Sequence, residues 1–133
     1  MAYGYDVYIY DYGVLTNYNL DLFITNDKRI MVGGSKLWEV KSIFQSFSKL
    51  EKLEDVFYIL SHCPPDERNT LTSNMGKYRK KTFFSDYSPN PFESNKNAEI
   101  YQTIFKDNIE EKTNSLITIE KKGIFEIFKK KKK

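Results

Sequence analysis

The sequence predicts an α+β domain with an N-terminal antiparallel meander, one long helix, a loop-rich middle, a second helix and a C-terminal β-hairpin. Residues 5–12 alternate between two sets of strand-favouring side chains. Residues 36–53 carry apolar side chains at helical spacing. Residues 116–128 place strand formers on both sides of a Lys-Lys-Gly turn. Alanine occurs only twice, against ten Phe and ten Tyr, which favours a sheet with aromatic faces over an alanine-rich bundle.

The meander is expected within the first 32 residues. The alternation over residues 5–12 predicts a strand that Gly13 ends, and residues 14–18 either continue this strand or return beside it. Residues 20–25 and 29–32 are expected to be further short strands, since an Asn-Asp-Lys turn separates them. We therefore expect two or three antiparallel strands over residues 5–32.

A helix over residues 36–53 is the clearest element. Ser35 is a suitable N-cap, and the apolar positions that follow are Leu37, Val40, Phe44 and Phe47. Five consecutive apolar residues then predict a buried strand over residues 56–61. The same stretch also fits one long helix or two short helices, and the pattern leaves this alternative open.

The second half of the chain is expected to be rich in loops before it becomes regular again. All four prolines lie within residues 64–97, where one strand is expected over residues 77–84. Helical spacing resumes over residues 98–112. The final hairpin is expected to pair residues 116–120 with residues 124–128.

Length and charge suggest one compact domain over residues 1–128, followed by a disordered lysine tail at residues 129–133. The net charge is +3, and the tail alone carries five positive charges, so residues 1–128 carry a net charge of −2. Residues 1–27 contain four aspartates and no lysine or arginine. The chain therefore has an acidic, tyrosine-rich start and a basic end.

The hydropathy pattern excludes a membrane-spanning role. No stretch approaches the roughly 18 to 20 apolar residues that a transmembrane helix needs, and the mean hydropathy is −0.60. The N-terminus lacks the basic side chains of a secretory signal, so we expect a cytoplasmic location and no membrane insertion.

Metal-binding and catalytic constellations are incomplete. His62 and Cys63 are the only histidine and cysteine, and adjacent side chains of an extended chain point to opposite faces. Zinc needs three or four converging ligands, and a reactive thiolate needs an imidazole that faces it. We therefore expect no metal, no cofactor and no catalytic residue.

One enzyme-like alternative centres on Asp11 and on the Gly-Gly-Ser-Lys sequence of residues 33–36. Glycines before a helix can offer backbone N–H groups to a phosphate. Residues 10–16, Tyr-Asp-Tyr-Gly-Val-Leu-Thr, resemble the first motif of the haloacid dehalogenase-like phosphatases. Alignment on Gly13 puts Tyr10 and Tyr12 where that family has its two aspartates. The resemblance thus implies a degenerate phosphatase-like or phosphate-binding protein.

A second alternative is nucleic-acid binding. Basic and aromatic residues interleave over residues 77–84, and cations for phosphates with rings for base stacking are what single-stranded nucleic acid requires. The lysine tail would add affinity for anions. The candidate contact residues are Lys77, Tyr78, Arg79, Lys80, Lys81 and Phe83.

The favoured interpretation is a non-enzymatic protein-binding module or adaptor that uses its tyrosine-rich, acidic N-terminal sheet. Tyrosine rings bury a large area at low entropic cost, and their hydroxyls tolerate water at the rim of an interface. Another protein is therefore the expected partner. The candidate contact residues are Tyr8, Tyr10, Tyr12, Asp6 and Asp11.

Overall fold

The computed structural model describes residues 7–90, 97–108 and 110. They form an α+β structure built on a three-stranded parallel sheet. The helices are α1 (Leu20–Ile24), α2 (Leu37–Leu50), α3 (Arg68–Asn74), a 3-10 helix (Gly76–Lys81) and α4 (Ala98–Ile104). The strands are β1 (Arg29–Gly34), β2 (Val56–Ser61) and β3 (Thr82–Ser85).

The sheet has the order β1-β2-β3. β1 and β2 run parallel, with Arg29 beside Val56 and Gly34 beside Ser61. Parallel neighbours need a crossover connection, and α2 supplies it. β2 lies in the centre, and both of its faces are apolar, as is usual for the central strand of a parallel sheet.

The predicted antiparallel meander is wrong. Residues 7–16 contain no strand, and residues 20–24 form α1 instead of a strand. Polar side chains explain this helix, because Thr25 Oγ1 and Asn26 Nδ2 both donate to the backbone oxygen of Leu22. Only β1 matches one of the expected short strands, and its neighbour is β2 rather than the preceding segment.

The strand predicted over residues 56–61 is present with those bounds, so the alternative of helices through this region is wrong. The helix predicted over residues 36–53 is present as α2. Its buried stripe is Val40, Ile43, Ser46 and Leu50, with Phe47 packed beside it, whereas Leu37 is exposed.

The core lies between α2, the 3-10 helix and one face of the sheet. Phe47 meets Tyr58 at a ring distance of 5.4 Å and Tyr78 at 4.8 Å. Gly33 lets α2 come close to β1, because a Cβ at this position would lie 2.5 Å from Ile43 Cδ1. The buried cluster comprises Phe23, Ile43, Leu50, Val56, Tyr58, Leu60, Met75 and Tyr78.

The strand predicted over residues 77–84 is displaced. Residues 76–81 wind into the 3-10 helix, with the Tyr78 N–H donating to the Met75 oxygen at 3.1 Å, and the strand spans only Thr82–Ser85. Burial of Tyr78 holds this turn against the core.

The described chain divides into two compact units, Met1–Phe84 and Ser85–Lys133. In the second unit, α4 occupies the start of the helix predicted over residues 98–112. The Asn97 side chain accepts from the Asp86 N–H at 2.9 Å and donates to its oxygen at 3.1 Å. The predicted C-terminal hairpin and the lysine tail lie outside the described residues, and the single domain over residues 1–128 stays a prediction.

Candidate functional site

The most unusual surface of the described chain is an irregular segment, residues 7–18, which we call the arm. It has no regular secondary structure, yet it carries a series of apolar side chains. Ile9 is 89% exposed, Tyr10 is 65% exposed and Val14 is 83% exposed. Val7 and Tyr18 are also exposed. Contiguous apolar exposure of this kind is rare on a monomer and marks interaction surfaces.

The side chain of Asn19 holds the carboxyl-terminal half of the arm in place. Its amide nitrogen donates to the backbone oxygens of Tyr12 and Val14, both at 3.0 Å. Its amide oxygen accepts from the Thr16 N–H at 2.8 Å. One side chain therefore fixes the backbone of residues 12–16 without a neighbouring strand.

Tyr12 attaches the arm to the core. Its ring meets Phe23 edge to face at 6.2 Å, and its hydroxyl oxygen accepts from Asn26 Nδ2 at 2.9 Å. Tyr10 stacks beside Tyr12 at a ring distance of 6.4 Å. Tyr12 is half-buried, so it positions the arm, whereas Tyr10 presents most of its ring to solvent.

The other residues predicted to contact a partner protein are Tyr8, Asp11 and Asp6, and the two that the structure describes lie in different environments. Tyr8 is exposed. The carboxylate of Asp11 accepts from the Gly13 N–H at 2.9 Å and closes a tight turn, in which Gly13 has a positive φ of 62°. Asp6 lies outside the described residues. The exposed Val7, Ile9 and Val14 were not predicted as contacts, because the alternation suggested that one set of side chains would face a core.

The basic segment of residues 77–81 closes the carboxyl end of α2. Tyr78 is buried and donates its hydroxyl to the Leu50 oxygen at 3.2 Å. Lys77 Nζ donates to the Glu51 oxygen. Lys81 Nζ donates to the Glu54 oxygen and pairs with Asp55 at 3.1 Å. Tyr78 and Lys77 thus bind the carbonyls of the last residue of α2 and of its C-cap, where a cation complements the helix dipole, whereas Lys81 binds the chain beyond the helix.

Of the remaining residues predicted to contact nucleic acid, one packs against another aromatic ring and two are exposed to solvent. Phe83 stacks on Phe57 at a ring distance of 6.4 Å, and the Lys81 ammonium lies 5.5 Å from the centre of the same Phe57 ring. Arg79 and Lys80 are exposed. The aromatic residues of this segment are thus used largely inside the protein, which argues against a stacking platform for bases.

The carboxyl end of β1 leads into α2 through the glycine-rich residues 33–36. One N–H at the start of α2 is already bound by an internal carboxylate, because Glu39 Oε2 accepts from the Lys36 N–H at 3.2 Å. The same carboxylate fills the space that a Cβ of Gly34 would take. An acidic side chain thus occupies the position that a bound phosphate would use.

The loop after β2 contains the only histidine and the only cysteine of the sequence. His62 has a positive φ of 59°, and its backbone oxygen accepts from Ser35 Oγ at 2.9 Å, which joins this loop to the one after β1. Cys63 is a buried free thiol, and burial raises its pKa. A protonated, enclosed thiol is a poor nucleophile.

Within the described ranges, no group of three or more His, Cys, Asp or Glu side chains could hold a metal ion. The clefts beside the 3-10 helix are lined by Glu51, Lys77 and Tyr78. The Lys77 ammonium and the Tyr78 hydroxyl already donate to backbone oxygens at the end of α2. Asp11 follows irregular chain rather than a strand, so the phosphatase-like arrangement has no matching backbone here.

Comparisons with protein families, with curated proteins and with solved structures gave no match to this chain.

The helices of the described chain are all too short or too polar to cross a membrane.

Proposed function

We propose that this chain is a protein-binding module that uses the arm to contact a partner protein. The observation that carries this proposal is the exposure of Ile9, Tyr10 and Val14 along the arm, whose carboxyl-terminal half is anchored by Asn19. An interface that covered these side chains would remove a large apolar area from water, which is the main favourable contribution to association.

The anchoring supports recognition as much as the exposure does. The hydrogen bonds of Asn19 fix the backbone beneath Val14, and Tyr12 is fixed against Phe23. A segment that is already ordered loses less conformational entropy on binding than a flexible one. The carboxyl-terminal half of the arm is therefore preorganised for binding, unlike a flexible chain terminus.

The negative charge of residues 7–27 indicates what kind of surface the partner presents. Asp11, Asp21 and Asp27 are exposed, and residues 7–27 contain no lysine or arginine. The complementary surface is an apolar patch with basic residues at its rim. Binding should consequently weaken as the salt concentration rises, although the apolar contacts keep part of the affinity.

Photo-crosslinking tests the proposal directly. A photoreactive phenylalanine analogue replaces Tyr10 in one sample and Tyr101 in a control, since Tyr101 is another exposed tyrosine, on α4. We expect protein adducts from position 10 and few from position 101. Equal yields at the two positions would contradict a role of the arm.

A second variant tests the anchoring. Asn19→Ala removes the four hydrogen bonds that order residues 12–16 but leaves the exposed apolar side chains in place. We expect faster amide exchange over residues 12–16 and about tenfold weaker binding, because the arm must then be ordered on association. Unchanged affinity alongside faster exchange would show that anchoring is irrelevant to recognition.

A further inference from the structure

We propose that the first turn of α2 docks on a membrane surface that contains anionic lipids, with Leu37 and Trp38 at the level of the headgroups. The contact is peripheral and requires no membrane-spanning helix. It goes beyond the proposed function, because it uses a second surface of the molecule that does not involve the arm.

Leu37 and Trp38 form an apolar tip at the start of α2. Leu37 is 85% exposed and Trp38 is 67% exposed, although the other apolar side chains of α2 pack into the core. Neighbouring residues of a helix point about 100° apart, so these two side chains spread over the end of the helix and do not line a groove. Tryptophan and leucine are side chains with which surface helices enter the headgroup region of a bilayer.

Positive charge surrounds the apolar tip. Lys36 precedes it, and Lys41 lies three residues after Trp38, on the same face of the helix; both lysines are exposed. Glu39 is the only acidic residue of α2, and its carboxylate turns back to accept from the Lys36 N–H. Anionic headgroups are therefore complementary to this end of α2, and lysines close to such a surface strengthen binding.

The same residues fit a lipid surface better than single-stranded nucleic acid. A base needs an open ring face on which to stack. The Lys36 ammonium lies 5.3 Å from the centre of the Trp38 ring, and Leu37 beside it is aliphatic. A bilayer accommodates both features, because apolar side chains enter between the headgroups while the ammonium groups stay at the level of the phosphates.

The apolar tip and the anchored half of the arm lie at opposite ends of α2. Lys49 Nζ donates to Asn17 Oδ1 at 3.0 Å, so the arm contacts the carboxyl-terminal end of the helix. Between Trp38 and Lys49 the helix rises by about 16 Å. A membrane at the tip therefore leaves the anchored half of the arm accessible to a partner protein.

The fluorescence of Trp38 tests this proposal, because Trp38 is the only tryptophan of the sequence. Vesicles of phosphatidylcholine mixed with phosphatidylserine are titrated into one sample of the full chain, and vesicles of phosphatidylcholine alone into another. We expect the emission to shift to shorter wavelength with the anionic vesicles, since the ring then leaves water, and much less with the neutral ones. An unchanged spectrum with the anionic vesicles would overturn the proposal.

Co-sedimentation with the anionic vesicles then identifies the residues that bind. Leu37→Glu should weaken binding about tenfold, whereas Tyr87→Glu, which makes the same change of charge at an exposed position, should have little effect. Lys41→Gln should weaken binding about fivefold, and Lys52→Gln, beyond the other end of α2, is its matched control. Circular dichroism checks that each variant stays folded.

Two further results would overturn the proposal even if the wild type binds vesicles. All variants keep the lysine tail, so binding of Leu37→Glu as strong as that of the wild type would place the lipid contact elsewhere on the chain. Quenching of Trp38 by oligothymidylate, with no shift on vesicles, would assign the tip to nucleic acid. Crosslinking from position 10 reports on the arm separately, so failure of the lipid contact leaves the proposed function standing.

Discussion

The rings of Tyr58 and Tyr78 meet at 5.2 Å in the core, but their hydroxyls have different surroundings. Tyr78 donates to the Leu50 oxygen. The hydroxyl of Tyr58 is fully buried and has no hydrogen-bond partner among the described atoms. Removing each hydroxyl should therefore have opposite effects on stability.

Tyr78→Phe should destabilise the protein. The change removes one of the two donors to the Leu50 oxygen, the other being the Leu53 N–H at 2.9 Å, and we expect the free energy of unfolding to fall by about 0.5 to 1 kcal/mol. Urea unfolding followed by circular dichroism measures the loss. Tyr101→Phe, at an exposed position, is the matched control and should have no effect. A Tyr78→Phe variant as stable as the wild type would contradict the capping role of this hydroxyl.

Tyr58→Phe should leave the stability unchanged or raise it by up to about 1 kcal/mol, because it removes an unsatisfied polar atom. Burial also raises the pKa of Tyr58 to about 12 from its ordinary value of 10.0. The folded form then binds its proton more tightly than the unfolded form, so this contribution to stability is present below pH 10 and is lost as the pH rises towards 12.

Unfolding at alkaline pH tests the titration of Tyr58. We expect the wild type to lose stability more steeply than Tyr58→Phe above pH 10. Parallel curves for the two proteins would mean that the Tyr58 hydroxyl ionises as readily in the core as in water.

Gly34→Ala should lower the free energy of unfolding by about as much as removing the Glu39 carboxylate that caps α2. A methyl group at this position displaces the Glu39 carboxylate, which accepts from the Lys36 N–H. We expect losses of about 0.5 to 1 kcal/mol for Gly34→Ala and for Glu39→Gln, and little further loss when the two are combined. Additive losses in urea unfolding would show that Gly34 serves another contact.

Asp55→Asn should have a small, pH-dependent effect. The hydrogen bond from Lys81 lowers the pKa of Asp55 below 3.8, so the pair stabilises the fold above that pH and the benefit is lost as the pH falls through the lower, folded-state pKa. Both side chains are partly exposed, and we expect a loss of no more than about 0.5 kcal/mol near neutral pH. The difference should shrink in acid and in high salt, and thermal unfolding at several pH values measures it.

The helix and strand that the sequence predicted well are those that the spacing of apolar residues within one short segment identifies. Apolar spacing identified α2, and five consecutive apolar residues identified β2 with its correct bounds. Periodicity does not reveal which strand lies beside which. β1 pairs with β2 across the whole length of α2, and the short distance along the chain between residues 5–18 and β1 wrongly suggested a hairpin-like neighbour.

The candidate site shows the same limit. Alternation over residues 5–12 predicted a sheet with one tyrosine face, but a segment without a neighbouring strand has no inner face, so Val7 and Ile9 are exposed as well. The interleaved charges and rings of residues 77–84 suggested phosphates and bases, whereas Lys77 and Lys81 bind carbonyl oxygens near the end of α2. The hydrogen bonds of Asn19 to residues 12–16 left no pattern in the sequence from which they could be predicted.

The parallel pairing of β1 and β2 also determines when the protein can fold during its synthesis. Gly34 pairs with Ser61, which the ribosome adds 27 residues later. At about 5 to 20 residues per second, β1 waits roughly one to five seconds for its neighbour, and for longer while the exit tunnel encloses β2. Throughout that delay β1 lacks the hydrogen bonds that β2 later provides. On a messenger RNA that carries several ribosomes, neighbouring nascent chains therefore expose such unpaired strands close to one another.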